Sequence, residues 1–301
     1  MIHFFYIFLL HFMLSVGFYM FLERKYLGFS HNRYGPNKVM FKGYFQFVYD
    51  MLKLFFKFNF NFYSIFFLFY FLIPMLLFFN IILMWLLLPL SGFFLNKEIS
   101  LIYLIVLMVL KMFYMVLMVY FIMSVYCYLS MIRMLIQVIS YDIIIIIIII
   151  VNFLIYLEFD FKMFFYNFQL ISMMYSFTVL LVWLVSIMVE LLRLPFDFYE
   201  GESELVSGFN VEYGSLMFLF LVLVEYMEII YFVYITLMMF VYINYYDIFW
   251  SLIFFFFLFV LVWFRVFFVR YRLDKMLFLL WKFIFPFIMF QVFIYFFLNL
   301  F

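Results

Sequence analysis

The 301-residue sequence has no alanine, one cysteine, five prolines and eight glycines, and only 11% of its residues are charged. Each shortage excludes something. Soluble domains carry about 25% charged and roughly 45–50% apolar residues, whereas 73% of this chain is hydrophobic. It is therefore read as an integral membrane protein. No long stretch has ordinary composition, so residues 1–301 form a single integral membrane domain with no separate soluble unit. The lone Cys127 cannot close an internal disulfide or hold an iron–sulfur cluster by itself, and reads as a small apolar residue of a span. His3, His11 and His31 are not placed as paired intramembrane haem ligands. There is no glycine-rich phosphate loop, no nicotinamide fingerprint and no assembly of nucleophile, base and orienting acid. The chain alone is expected to supply no catalytic residue, no metal site and no redox cofactor. A net charge of +1 without a basic cluster gives no sign of nucleic-acid binding.

The missing alanines have a packing consequence. Small residues let transmembrane helices approach closely; here 57 Phe, 24 Met and 27 Tyr must interlock instead. The same bias toward Phe, Ile, Tyr and Asn is what an AT-rich genome produces, and it points to a mitochondrial gene. The apolar start through Leu22, without a basic leader or small-residue cleavage site, is expected to be a retained first span.

A helical span needs about 20 apolar residues. About eight segments qualify, over roughly 2–22, 63–90, 101–127, 133–157, 170–190, 215–243, 248–269 and 276–300. They must be helices, because an open sheet would leave backbone polar groups unsatisfied in lipid. That includes the isoleucine run 143–150. Pro74 is expected to kink the second span and Pro89 to end it. Alternation gathers Arg24, Lys25, Arg33, Lys38, Lys42, Lys53, Lys57, Arg133, Arg193, Arg270, Arg272 and Lys275 on one side. The other side holds Lys97 and Lys162 among Glu98, Glu158, Asp160 and Asp247. By the positive-inside rule the basic side faces the matrix or cytoplasm, and the matrix if the gene is mitochondrial. Within the first inner loop, residues 23–62, the stretch 43–57 is too short and too charged to span and reads as an amphipathic helix on the inner surface.

The charges concentrate where they are expensive. The loop 191–214 carries Asp197, Glu200, Glu202, Glu204 and Glu212, with Glu190 at its head. Asp142 sits well inside the fourth span, and Glu225 and Glu228, three residues apart, share a face of the sixth. Lys111 lies in the third span and requires an anionic partner. Structural ion pairs or snorkelling side chains explain Glu190 and Lys111 more readily than Asp142 and Glu225. The functional reading is a chain of protonatable groups leading from the acidic loop into the bilayer.

Four blocks carry a resemblance. Glu190-Leu191-Leu192-Arg193-Leu194-Pro195-Phe196-Asp197, followed by Glu200 and the run 201–213, is the most specific. Glu23-Arg24-Lys25, Gly28, Arg33, Gly35-Pro36-Asn37, Gln46, Asp50 and Lys53 form the second. Arg133, Gln137 and Ser140-Tyr141-Asp142, then Arg265, Arg270, Arg272, Asp274 and Trp281-Lys282, are supportive. In order and spacing they resemble the quinone-site membrane subunit family of proton-pumping NADH:ubiquinone oxidoreductase, respiratory complex I. The resemblance implies a subunit at the junction of the two arms, partnered by peripheral-arm subunits that carry FMN and iron–sulfur clusters and by antiporter-like membrane subunits. Ubiquinone would be the substrate. Carried over by position, Arg24, Arg33, Asp50, Lys53, Arg193 and Arg272 would surround the quinone cavity and its interface. Asp142, Glu190, Asp197, Glu200, Glu202, Glu204, Glu212 and Glu225 would form the acidic path.

The chain departs from that pattern in places. Asp142 replaces the usual Glu, Tyr34 a basic residue, and Leu191-Leu192 the usual Thr-Asn. Lys111 and Glu228 stand where the family has uncharged residues, and are expected to compensate each other or a nearby charge. The competing readings are an independent ion transporter, an anchor for a hydrogenase-type soluble arm, and a purely structural anchor.

Overall fold

The computed structural model describes residues 2–38, 40–57, 65–88, 100–122, 124–156, 170–198, 213–241 and 248–300. Among these residues every regular element is a helix. In chain order the longer ones are α1 (Ile2–Ser30), α2 (Gln46–Phe56), α3 (Ile65–Leu86), α4 (Ser100–Ile122), α5 (Val125–Tyr156), α6 (Leu170–Glu190), α7 (Ser215–Phe240), α8 (Ile248–Phe267), α9 (Leu273–Leu279) and α10 (Phe285–Leu300). A single turn, Met40–Gly43, precedes α2. A π-helical turn, Leu280–Ile284, joins the last two helices into one rod. It ends just before Pro286, which has no N–H to continue the ladder.

Each of the eight predicted spans corresponds to one of these helices or to the α9–α10 rod. Six stretches are long and apolar enough to cross a membrane, in α3, α4, α5, α7, α8 and the final rod, while α6 supplies a shorter one, Phe177–Glu190. The chain is an all-α polytopic membrane protein. Two boundaries differ from expectation. Helix α1 continues to Ser30, which places Glu23, Arg24 and Lys25 on its last turns rather than in a loop. Helix α5 starts at Val125, so Arg133 lies two turns inside it rather than at its start. At 32 residues α5 is about 48 Å long, well over the roughly 30 Å of hydrocarbon, so a helix can carry charge at its end without immersing it. Pro74 is accommodated inside α3, and Pro89 lies outside the described residues.

Helix α7 is the hub. It packs against α1, α2, α3, α6 and α8, and from Met227 to Phe240 every residue is buried. A helix apolar all round has no lipid-facing stripe to keep. Helix α2 shows the opposite pattern. Phe47 is buried and Met51 and Leu54 are half-buried along one face, while Leu52, Lys53, Phe55 and Phe56 are exposed on the other. It packs on α1 and α7, the arrangement expected of a surface helix.

The contact between α1 and α2 depends on one glycine. The Phe47 ring lies where a Cβ on Gly17 would stand. Gly17→Ala is therefore expected to force α2 outward at a cost of about 1–3 kcal/mol, as overpacking does. Thermal inactivation of the assembled enzyme measures this, and an unchanged inactivation midpoint would contradict the packing argument.

The end of α1 is equally specific. Asn32, at φ 53°, takes the left-handed position after the helix. The Asn32 and Arg33 amides donate to the Phe29 and Gly28 carbonyls at 3.0 Å each, which is a Schellman closure. Asparagine tolerates that conformation better than most residues.

Candidate functional site

Helix α6 ends in the same way as α1, but with a less suitable residue. The Leu192 amide donates to the Val189 carbonyl at 3.1 Å, the Arg193 amide donates to Met188 at 3.3 Å, and Leu192 sits at φ 52°. A branched apolar side chain in the left-handed region costs about 1 kcal/mol or more. Leu192 is nevertheless buried in the core, so Leu192→Asn exchanges that strain for roughly 2 kcal/mol or more of lost apolar burial and should lower the thermal midpoint; a raised midpoint would count against it. The turn is held from outside by Gln137 of α5, whose Nε2 donates to the Val189 and Phe196 carbonyls at 3.0 and 2.8 Å. The Tyr271 amide donates to the Pro195 carbonyl at 3.0 Å, and the Phe196 and Tyr271 rings stack at 5.7 Å. Arg193 thus leaves a rigid corner.

That corner presents Arg193 to the first of two charge clusters. Glu23, at the inner end of α1, pairs with Arg265 of α8 at 2.5 Å and with Arg193 at 3.6 Å. Arg193 also lies 3.9 Å from Glu225 of α7, and its guanidinium covers the Tyr226 ring at 4.8 Å. Burial works against the Arg193 charge, but Glu23, with Tyr226 and Glu225, outweighs it and holds its pKa above the ordinary arginine value. Beside this cluster α1, α2 and α7 enclose a cavity of about 270 Å³. Its polar lining is Arg24, Asp50, Arg193, Glu225, Tyr226 and Arg265; Phe47, Met51, Leu54, Leu219 and Val222 contribute to its apolar walls. Arg24 and Asp50 form a half-exposed ion pair of 3.0 Å at its rim.

The second cluster is closed. Lys111 of α4 extends its Nζ to within 2.9 Å of Glu190 on α6 and 2.8 Å of Glu228 on α7. Asp142 of α5 lies near enough for Glu190 and Lys111 to act on it electrostatically, and its Oδ1 is buried without a hydrogen-bond partner among the described residues. Four helices therefore each contribute one ionisable group. The expected compensation between Lys111 and Glu228 is present, and Glu190 shares in it.

The structure separates the expected site residues into groups. Arg24, Asp50, Arg193 and Glu225 meet at the cavity, and Asp142 and Glu190 meet in the Lys111 cluster. Arg33, Lys53 and Arg272 are exposed and outside the cavity lining. Asp197 is half-buried in the turn after α6. Glu200, Glu202, Glu204 and Glu212 lie outside the described residues. Glu225 and Glu228 serve different clusters rather than one, because three residues on a helix still leave about 60° between side chains. Sequence reasoning assigns no site role to Glu23, Arg265 or Tyr226. A signal exists for Arg265, the one charge on α8, and a weaker one for Glu23, the acid of the charged triplet 23–25 on α1.

An all-α bundle of apolar helices, with charged groups paired between them, defines a polytopic membrane protein. A family model described as NADH dehydrogenase matches residues 3–296. NADH-ubiquinone oxidoreductase chain 1 of Apis mellifera ligustica is 35% identical over 272 residues, covering 89% of this chain and 88% of its own. The Rhipicephalus sanguineus protein of the same name is 32% identical over 287 residues, with 94% and 90% covered. That of Locusta migratoria is 34% identical over 276 residues, with 90% and 86% covered. The chain belongs to this family, that of subunit 1 of respiratory complex I, and so to the membrane part of an oxidoreductase.

Proposed function

We propose that this chain is a core membrane subunit of proton-pumping NADH:ubiquinone oxidoreductase, in which it forms the ubiquinone access cavity and passes redox-driven charge changes to an acidic path. The observation that carries this reading is the cavity between α1, α2 and α7, apolar along its walls and charged at Arg193, Glu225 and Arg265. Such a space suits a ligand with a greasy tail and a small polar head. Electrons reach the quinone from iron–sulfur clusters in peripheral-arm partners, which also hold FMN. The chain itself supplies position and electrostatics.

Charge arising on the reduced quinone acts first on the Glu23–Arg193–Glu225 cluster. A change there alters the field at the Lys111 cluster one turn further along α7, since Glu225 and Glu228 are separated by about 4.5 Å of helical rise. Asp142 and Glu190 then exchange protons with the antiporter-like subunits. The acids of the loop 191–214 complete the path in this reading. The setting is the mitochondrial inner membrane, with the basic loops facing the matrix.

A ubiquinone analogue with a photoreactive tail tests the cavity in the intact enzyme. Labelling is expected on α1, α2 and α7, near Met51 and Leu219. Labels confined to the apolar crevice between α6 and α8, around Val185 and Phe264, would remove the cavity from the quinone route.

A further inference from the structure

A second recess lies elsewhere in the bundle and has the opposite character. It is a crevice of about 400 Å³ between α6, α8 and the final rod, within the roughly 300–1,000 Å³ of ligand sites. Its α6 wall runs from Leu181 to Met188, two turns and about 10 Å of rise, which fits within one leaflet of about 15 Å. Phe264 and Phe268 of α8 and Ile284 of the rod join the lining. Tyr271 is the one lining residue with a polar side chain. In the cavity beside α2 the charges stand inside; here the polar groups stand only at one end.

That end is basic. The Tyr271 amide bonds to the Pro195 carbonyl and its ring stacks on Phe196, and both partners line the crevice. Beside it the Arg270 guanidinium lies 5.8 Å from the Phe198 ring, with Nη2 donating to the Phe198 carbonyl at 3.5 Å. Arg272 and Lys275 follow, both exposed. Further along the rod, the Lys282 ammonium lies 4.2 Å over the Phe278 ring, bent back toward the basic end as a snorkelling lysine is. The acids nearby are Asp274, exposed, and Asp197, half-buried, so these four cations outnumber the carboxylates. We propose that the crevice holds an acyl chain of an anionic phospholipid, with the phosphate lying over Tyr271 among Arg270, Arg272 and Lys275. Apolar walls take the hydrocarbon and cations at the rim take the head group, the arrangement by which basic pockets between transmembrane helices bind anionic lipids. A quinone head would find no polar side chain deeper than the Tyr271 hydroxyl. The acyl chain packs on Pro195 and Phe196, so the lipid backs the same corner that presents Arg193 to the charged cavity.

The lipid site stands whether or not the quinone uses the cavity beside α2, and one experiment keeps the two apart. Phosphatidylglycerol and phosphatidylcholine probes carrying the same photoreactive acyl chain are compared on the assembled enzyme in phosphatidylcholine vesicles. The phosphatidylglycerol probe should label Val185 and Phe264 at least about fivefold more strongly. Arg272→Gln and Lys275→Gln, at exposed positions outside the packed core, should each lower that labelling by about fivefold. Val185→Trp should abolish it by filling the crevice. An excess of long-tailed ubiquinone should leave it unchanged. Equal labelling by the two probes, or no response to either charge variant, would reduce the occupant to ordinary boundary lipid and overturn the site. Absence of label from Val185 and Phe264 would mean that a partner subunit fills the crevice, which overturns it as well. Displacement of the label by ubiquinone would make the crevice part of the quinone route instead.

Discussion

Arg193→Met is expected to abolish most quinone reduction, lowering it by at least about tenfold, while NADH oxidation by a hydrophilic acceptor at the peripheral arm is retained. Three interactions end at this guanidinium: Glu23 at 3.6 Å, Glu225 at 3.9 Å and the Tyr226 ring at 4.8 Å. Removing one member of a largely buried ion group leaves uncompensated charge and typically costs about 3–5 kcal/mol. Glu23 keeps Arg265, so the loss falls mainly on the cavity wall that Arg193 lines. Arg193→Lys should recover little, because a point charge cannot serve two carboxylates and stack on a ring together. The ratio of the two NADH activities in the same membranes is the measurement. A ratio within about twofold of the parent would mean that the cluster does not serve the quinone, since twofold corresponds to only about 0.4 kcal/mol.

Val222→Trp addresses the cavity itself. Val222 is half-buried on α7 and lines the space between Met51 and Glu225. An indole there occupies much of a volume of about 270 Å³. The KM for a long-tailed ubiquinone should rise about tenfold, equivalent to about 1.4 kcal/mol of lost binding. A short-tailed analogue should be affected less, since fewer apolar contacts are displaced. Equal effects on both, or a fall in kcat alone, would move the obstruction away from the access route.

The fold is legible because the membrane leaves few options. Hydropathy locates the helices, and backbone hydrogen bonding in lipid settles their type. Their ends are harder to place. Leu27 and Phe29 let α1 run on past the charges at 23–25, and a helix that leaves the hydrocarbon has no hydropathy edge to mark where it stops. The candidate site is half legible. Lys111 and Glu228 can be paired from the sequence because each is a costly charge lacking an explanation, and opposite charges in low dielectric find one another. The pairing of Glu23 with Arg265 joins residues 242 apart in the chain, a separation that no local pattern encodes. Nor does spacing show that Gln137 braces the end of α6, since its partners are two backbone carbonyls without side-chain signature.

The hub position of α7 has a mechanical consequence. With every residue from Met227 to Phe240 buried among bulky neighbours, a change of volume anywhere along this stretch is felt by the helices packed on it, so α7 ties the cavity wall at Glu225 and the lysine pair at Glu228 into one close-packed unit.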